Sequence, residues 1–201
     1  MNSNLLLYYV KNEDENQVAA LIERDPKTVS GADSSGNTPL HLATIQGSEL
    51  MVKLLLGYNA DVNAVSAPEI GSLASLHLAA RYGYVSISRL LIDAKADVDC
   101  RAKDESTPLH QAAQHGQTEM VKTLIKAGAD GELVDEHGMC PYRYARKGGF
   151  TEIADALPDV PYDAWQHIKS DPNFRTKFQE IIESTQKKKK GGKKGGKKKK
   201  K

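Results

Sequence analysis

The chain has 201 residues, of which 39% are apolar, 27% charged and 6% aromatic, with 16 glycines and 8 prolines. That size holds one packed domain or a short repeat array, and the composition excludes collagen and global Pro/Gly disorder. The net charge of +2 conceals two parts: residues 187–201 hold 11 lysines and 4 glycines, which leaves residues 1–186 with 17 basic and 26 acidic residues, a balance of −9.

In chain order, Met1 to Tyr9 is an apolar run without a basic leader and too short to cross a bilayer, so neither a signal peptide nor a membrane span is predicted. Leu5 to Val10 predicts a helix over residues 4–10, and Val18, Leu21 and Ile22 predict a partner over 16–23. From Gly36 onward one string returns: GNTPLHLAT, SLASLHLAA, ESTPLHQAA and GMCPYRYAR. Its aligned positions His41, His77, His110 and Arg143 are separated by 36, 33 and 33 residues. Each of the first three strings is followed by a leucine-rich stretch starting at Met51, Ser86 and Met120. A period near 33 residues governs the fold ahead of any local propensity.

These strings resemble the ankyrin-repeat family, over roughly residues 2–157 and about five repeats, the outer two degenerate. The resemblance implies an all-α repeat solenoid in which a short β-hairpin finger leads into two antiparallel helices. The residues suit it. Thr38 and Thr107 stand at helix N-caps, and Pro39 and Pro108 at the first helical position, where a missing N–H costs nothing. Gly47, Gly83, Gly116 and Gly149 fall where the first helix turns. Val52, Leu55 and Leu56, with their equivalents Ile87, Leu90, Leu91 and Val121, Leu124, Ile125, make apolar stripes that stacking would merge into one long core. The third repeat departs from this pattern. It is about three residues longer, with Ala67, Pro68 and Glu69 in a bulged finger, and it lacks the capping threonine, for which Ser72 is the candidate substitute.

The domain reading is therefore a repeat domain over 2–157, a linker and capping or docking helix over 158–186, and a disordered Lys/Gly tail over 187–201. Trp165 and the face formed by Phe174, Phe178, Ile181 and Ile182 anchor the extra C-terminal helix.

Enzymatic chemistry is not expected. His41, His77 and His110 share one slot in successive repeats, too far apart to ligate one metal, and each ring is expected to bond turn backbone between repeats. His115, His137 and His167 form no metal-binding spacing. The only cysteines, Cys100 and Cys140, lie in no CxxC pair and in no nucleophile motif, which suits buried packing in a reducing compartment. Asp61, Asp97, Asp99 and Asp130 recur with the repeat as turn-formers. No metal or cofactor is called for.

The resemblance implies a concave protein-binding groove. The residues beside the helix-turn glycines should line it: Ile45 and Gln46; Arg81, Tyr82 and Tyr84; Gln114, His115 and Gln117; Lys147 and Phe150. Arg81, Tyr82 and Tyr84 are the expected hot spot, because arginine and aromatic side chains give large contact at modest ordering cost. These positions are read as dispensable for stacking.

In the tail, Lys187, Lys188, Lys189, Lys190, Lys193, Lys194, Lys197, Lys198, Lys199, Lys200 and Lys201 should attract polyanions through a salt-dependent force that reads no sequence. RNA, ribosomes, DNA and acidic protein tails all qualify as partners. The functional expectation is a non-enzymatic adaptor or chaperone-like protein, monomeric when free, cytoplasmic and, through the lysine cluster, also nuclear. The alternatives are a structural component of a ribonucleoprotein or cytoskeletal assembly and a nucleic-acid regulator acting through the tail.

Overall fold

The structure is a computed structural model that describes residues 2–159. The chain divides into two units, Met1–Pro158 and Asp159–Lys201. The expected helix after Ser170, its Trp165 anchor and the lysine tail lie outside the described residues.

The described residues form ten α-helices in five antiparallel pairs. The first helices are α1 (Asn2–Lys11), α3 (Pro39–Gln46), α5 (Ser75–Tyr82), α7 (Pro108–Gln114) and α9 (Pro141–Gly148). Their partners are α2 (Glu15–Arg24), α4 (Glu49–Gly57), α6 (Val85–Asp93), α8 (Thr118–Lys126) and α10 (Thr151–Ala156). The expected all-α repeat solenoid is what the chain forms. At the first pair, the helices run slightly beyond the limits read from the apolar pattern, because polar flanking residues extend them.

One hydrogen bond fixes the register of all five repeats. The amide just after each helix turn reaches back to the last turn of the first helix: Asp14 to the Tyr9 carbonyl, Ser48 to Ala43, Tyr84 to Ala79, Gln117 to Ala112 and Phe150 to Ala145, at 2.9–3.1 Å. Those anchor residues are small from the second repeat on, and Ala43, Ala79, Ala112 and Ala145 are fully buried. Alanine here lets neighbouring first helices approach closely. Bulkier side chains separate the second helices: Met51, Leu55, Ile87, Leu91, Met120 and Leu124 fill the space between them and are almost completely buried. Neighbouring first helices touch more extensively than neighbouring second helices, so this unit curves toward the first-helix side.

The fingers are turns rather than hairpin strands. Among the described residues the only β-pairing is one isolated antiparallel bridge, Val65 to Ala74. An aspartate builds each of three fingers: Asp33 accepts from the amides of Ser35 and Asn37, Asp104 from Ser106, and Asp135 from His137 and Met139. Successive fingers are joined by single backbone bonds, from the Ala67 amide to Ser35, from Lys103 to Gly71 and from Glu136 to Asp104. The lengthened third finger holds a 3₁₀ turn at Pro68–Ile70 and is tied to its neighbours on both sides by two of these bonds.

Ser72 does not cap α5. It sits in the turn with φ +50°, and Ala74 occupies the cap position. The cap is made from the other side, by His77, whose Nδ1 accepts the Ala74 amide at 3.2 Å.

Candidate protein-binding face

The repeated histidine explains why the first helices are held so regularly. In each of three repeats, Nδ1 accepts the backbone amide of the N-cap residue: Thr38 to His41 at 3.2 Å, Ala74 to His77 at 3.2 Å and Thr107 to His110 at 3.1 Å. An amide can only donate, so Nδ1 is unprotonated and Nε2 carries the hydrogen. Nε2 then donates to a carbonyl of the next repeat: Leu73 at 2.8 Å, Ser106 at 3.1 Å and Met139 at 2.9 Å. Each ring is a stitch between repeats in one neutral tautomer, as expected from its slot. Burial lowers the pKa of all three, and that of His110 to about 4.

The third repeat repairs its missing threonine from elsewhere. In the neighbouring stitches the Thr38 and Thr107 hydroxyls also donate to the ring nitrogen, at 2.8 and 2.9 Å. Ala74 has no hydroxyl, and the Cys100 sulfur lies 3.6 Å from His77 Nδ1 instead. Burial, helped by Asp97 and Asp99, pushes the Cys100 thiol up to about 12. A thiol held protonated is a weak hydrogen-bond donor and a poor nucleophile. Cys140 is buried at the N-cap of α9.

The recurring loop aspartates are consumed in turns. Asp61, Asp97 and Asp130 accept the amide two residues on, at 2.9–3.0 Å. The next acceptor in each loop reaches across to the following repeat: Asn63 Oδ1 takes the Asp97 amide and Asp99 takes that of Asp130, both at 2.9 Å. Among the described residues no group of three or more His, Cys, Asp or Glu side chains is placed to hold a metal ion.

What remains open is the inner face of the first helices. The register bond aligns Lys11, Ile45, Arg81, Gln114 and Lys147 in one row. Asn12, Gln46, Tyr82, His115 and Gly148 form the adjacent row. All ten are exposed. The sequence reading named seven of them, and the structure brings those seven together on one surface. The other three are Gly148, which has no side chain, and Lys11 and Asn12, which carry no signal because the first repeat has no glycine at its turn; Glu13 takes the left-handed geometry there, with φ +56°. Ile45 is 37% exposed and Tyr82 46%. Gln46 Nε2 donates to the Lys11 carbonyl at 2.8 Å, and His115 Nδ1 bonds the Gln111 carbonyl at 2.9 Å.

Three other residues expected in the groove have a second task. Tyr84, Gln117 and Phe150 are half-buried and follow the helix-turn glycines. Each lays its side chain over the glycine of the preceding repeat. A Cβ at Gly47 would lie 3.0 Å from the Tyr84 ring, at Gly83 2.3 Å from the Gln117 amide oxygen, and at Gly116 2.5 Å from the Phe150 ring. Gln117 also donates to the Arg81 carbonyl at 3.3 Å. The expectation that these positions are dispensable for stacking does not hold for this trio. Tyr84 supports Tyr82 as well, with ring centroids 5.6 Å apart.

The comparisons with known proteins follow this architecture. The description "Ankyrin repeats (3 copies)" matches residues 76–164, and "Ankyrin repeat" matches residues 35–67. Protein phosphatase 1 regulatory subunit 27 from Homo sapiens is 34% identical over 107 residues, 53% of this chain and 68% of that protein. The chain belongs to the ankyrin-repeat family.

Other relatives share only a part. Serine/threonine-protein kinase VIK from Arabidopsis thaliana is 40% identical over 31% of this chain, which spans 14% of the kinase. Ankyrin repeat and SOCS box protein 3 from Homo sapiens is 33% identical over 41% of this chain and 16% of its own length. The likeness to these two covers well under two thirds of their length. Ankyrin repeats are protein-interaction modules, and the inner rows of this array are exposed. Among the described residues no helix is long and apolar enough to cross a membrane.

Proposed function

We propose that this ankyrin protein is a non-enzymatic adaptor that grips a partner protein along the two inner rows of its first helices. The observation that carries this reading is that both rows stay exposed through all five repeats, while the rest of α3, α5 and α7 is buried or half-buried. Tyr82 and Arg81 stand at the centre of the rows, where anchoring side chains contribute most. The likeness to a protein named as a phosphatase regulatory subunit favours action by binding. In the same reading, Lys187–Lys201 attach the protein to a polyanionic assembly, in the cytoplasm and also in the nucleus.

The two attachments should separate. Affinity purification from native cells compares the intact chain, an Ile45→Ala/Tyr82→Ala variant and a chain lacking residues 187–201. The double variant should lose a specific protein and keep the polyanion, and the truncated chain should do the reverse. A protein partner retained in full by the double variant overturns the groove assignment.

A further inference from the structure

Charge is not spread evenly over the array. The five first helices carry five basic residues, Lys11, Arg81, Arg143, Arg146 and Lys147, and no aspartate or glutamate. The five second helices carry seven acidic and five basic residues. This segregation runs against the balance of −9 over residues 1–186. On the inner face, Lys11, Arg81 and Lys147 occupy the same slot in the first, third and fifth repeats. All three are exposed, and among the described residues none is within 4 Å of a carboxylate. The slots between and beside them are uncharged, with apolar surface at Ile45 and Tyr82.

Resting on the reading above that the inner rows bind a protein, we infer that the occupant is an extended acidic segment of a partner protein, with its carboxylates on Lys11, Arg81 and Lys147 and bulky apolar side chains on Ile45 and Tyr82. Packed helices lie about 8–10 Å apart, so cations two repeats apart are separated by roughly 16–20 Å. An extended chain rises about 3.3 Å per residue. The segment therefore presents an acidic residue about every five or six positions, with apolar residues between. Nucleic acid fits this row poorly. One strand brings a phosphate about every 3.4 Å, so most phosphates would find no cation. The chain's own lysine tail has the wrong sign for these three positions.

The test uses the full chain, so that the tail is present in every sample. A random 16-residue peptide display library is selected on the wild type and counter-selected on the Ile45→Ala/Tyr82→Ala variant, which keeps every charge. Survivors depend on the groove and not on the tail. They should be rich in Asp and Glu at five- or six-residue intervals. A representative survivor should then lose about tenfold in affinity for Arg81→Glu/Lys147→Glu, and less than about twofold for the outer-face control Lys53→Glu/Arg89→Glu, which has the same net charge. Fluorescence anisotropy of the labelled peptide reads the change, and thermal melts confirm that each variant folds. Neutral or basic survivors overturn the acidic occupant and leave the groove reading intact. A library with no groove-dependent survivor removes the groove reading itself. If labelled dT20 loses more affinity with the inner reversal than with the outer one, the occupant is nucleic acid and the inference fails.

Discussion

Tyr82 and Tyr84 are two residues apart and touch each other, yet they have different tasks. Tyr82 stands on the open row; Tyr84 is half-buried and seals Gly47 of the repeat before it. Tyr84→Ala should therefore lower stability by about 1–3 kcal/mol, since it uncovers apolar surface at a junction. Tyr82→Ala should lower it by under about 1 kcal/mol and act on binding. Urea denaturation separates the two, and equal losses would contradict the division. Cys100 offers a second contrast. Its thiol takes the place that a threonine hydroxyl holds in the neighbouring repeats, so Cys100→Ala should cost about 1 kcal/mol and Cys100→Ser should recover most of it. A Cys100→Ala protein as stable as the wild type would show that the 3.6 Å contact contributes nothing.

At the scale of the helix pair, the glycine turn and the side chain that covers it form one unit across a repeat boundary. Gly116 has φ +70°, where a side chain is strained, and a Cβ there meets the Phe150 ring. Gly116→Ala should cost about 2–3 kcal/mol from backbone strain and displacement of that ring. In a Phe150→Ala background the same change should cost only the backbone part, about 1 kcal/mol. A double-mutant cycle by urea denaturation measures the difference, and strict additivity would mean that the ring does not seal the turn. Much of this level was legible in the sequence, because the inner repeats solve the same local problem with largely the same residues: Pro39 and Pro108 at helix starts, Gly47, Gly83 and Gly116 at turns, His41, His77 and His110 at the stitch. Contacts between repeats were less so. That Tyr84, Gln117 and Phe150 cover the preceding glycine follows from how the pairs stack, and nothing in a single repeat shows it. Ser72 was misread for a similar reason: the α5 cap comes from His77 with help from Cys100, 23 residues further on. The basic inner row could have been found by sorting charge helix by helix, since the first helices contain no acid at all.

For the whole array, the three histidine stitches make stability depend on pH at three junctions together. Each ring has a folded pKa below its unfolded value near 6.5, with His110 at about 4. The unfolded chain therefore takes up protons that the folded one refuses as pH falls below about 6.5, and acid favours unfolding. The contribution is complete above the unfolded pKa and is lost as pH drops toward the folded one. Burial dominates at His110, and Arg101 adds to the lowering, while Asp135 and Asp104 oppose it. His110 alone should remove ~1.4 kcal/mol per pH unit between about 6.5 and 4. Protonation would also place a hydrogen on Nδ1, facing the Thr107 amide it now accepts from, so the stitch cannot survive in the charged form. Urea midpoints measured from pH 7.5 to 4.5 should fall steadily below pH 6.5. His110→Gln should be less stable at pH 7.5 and should show a shallower fall, because one of the three titrations is gone. Since stability in a stacked array is carried by junctions between neighbours, loss of one stitch should also weaken the others' cooperation, broadening the unfolding transition. A pH dependence identical in wild type and His110→Gln would mean that the acid response resides elsewhere than in the stitches.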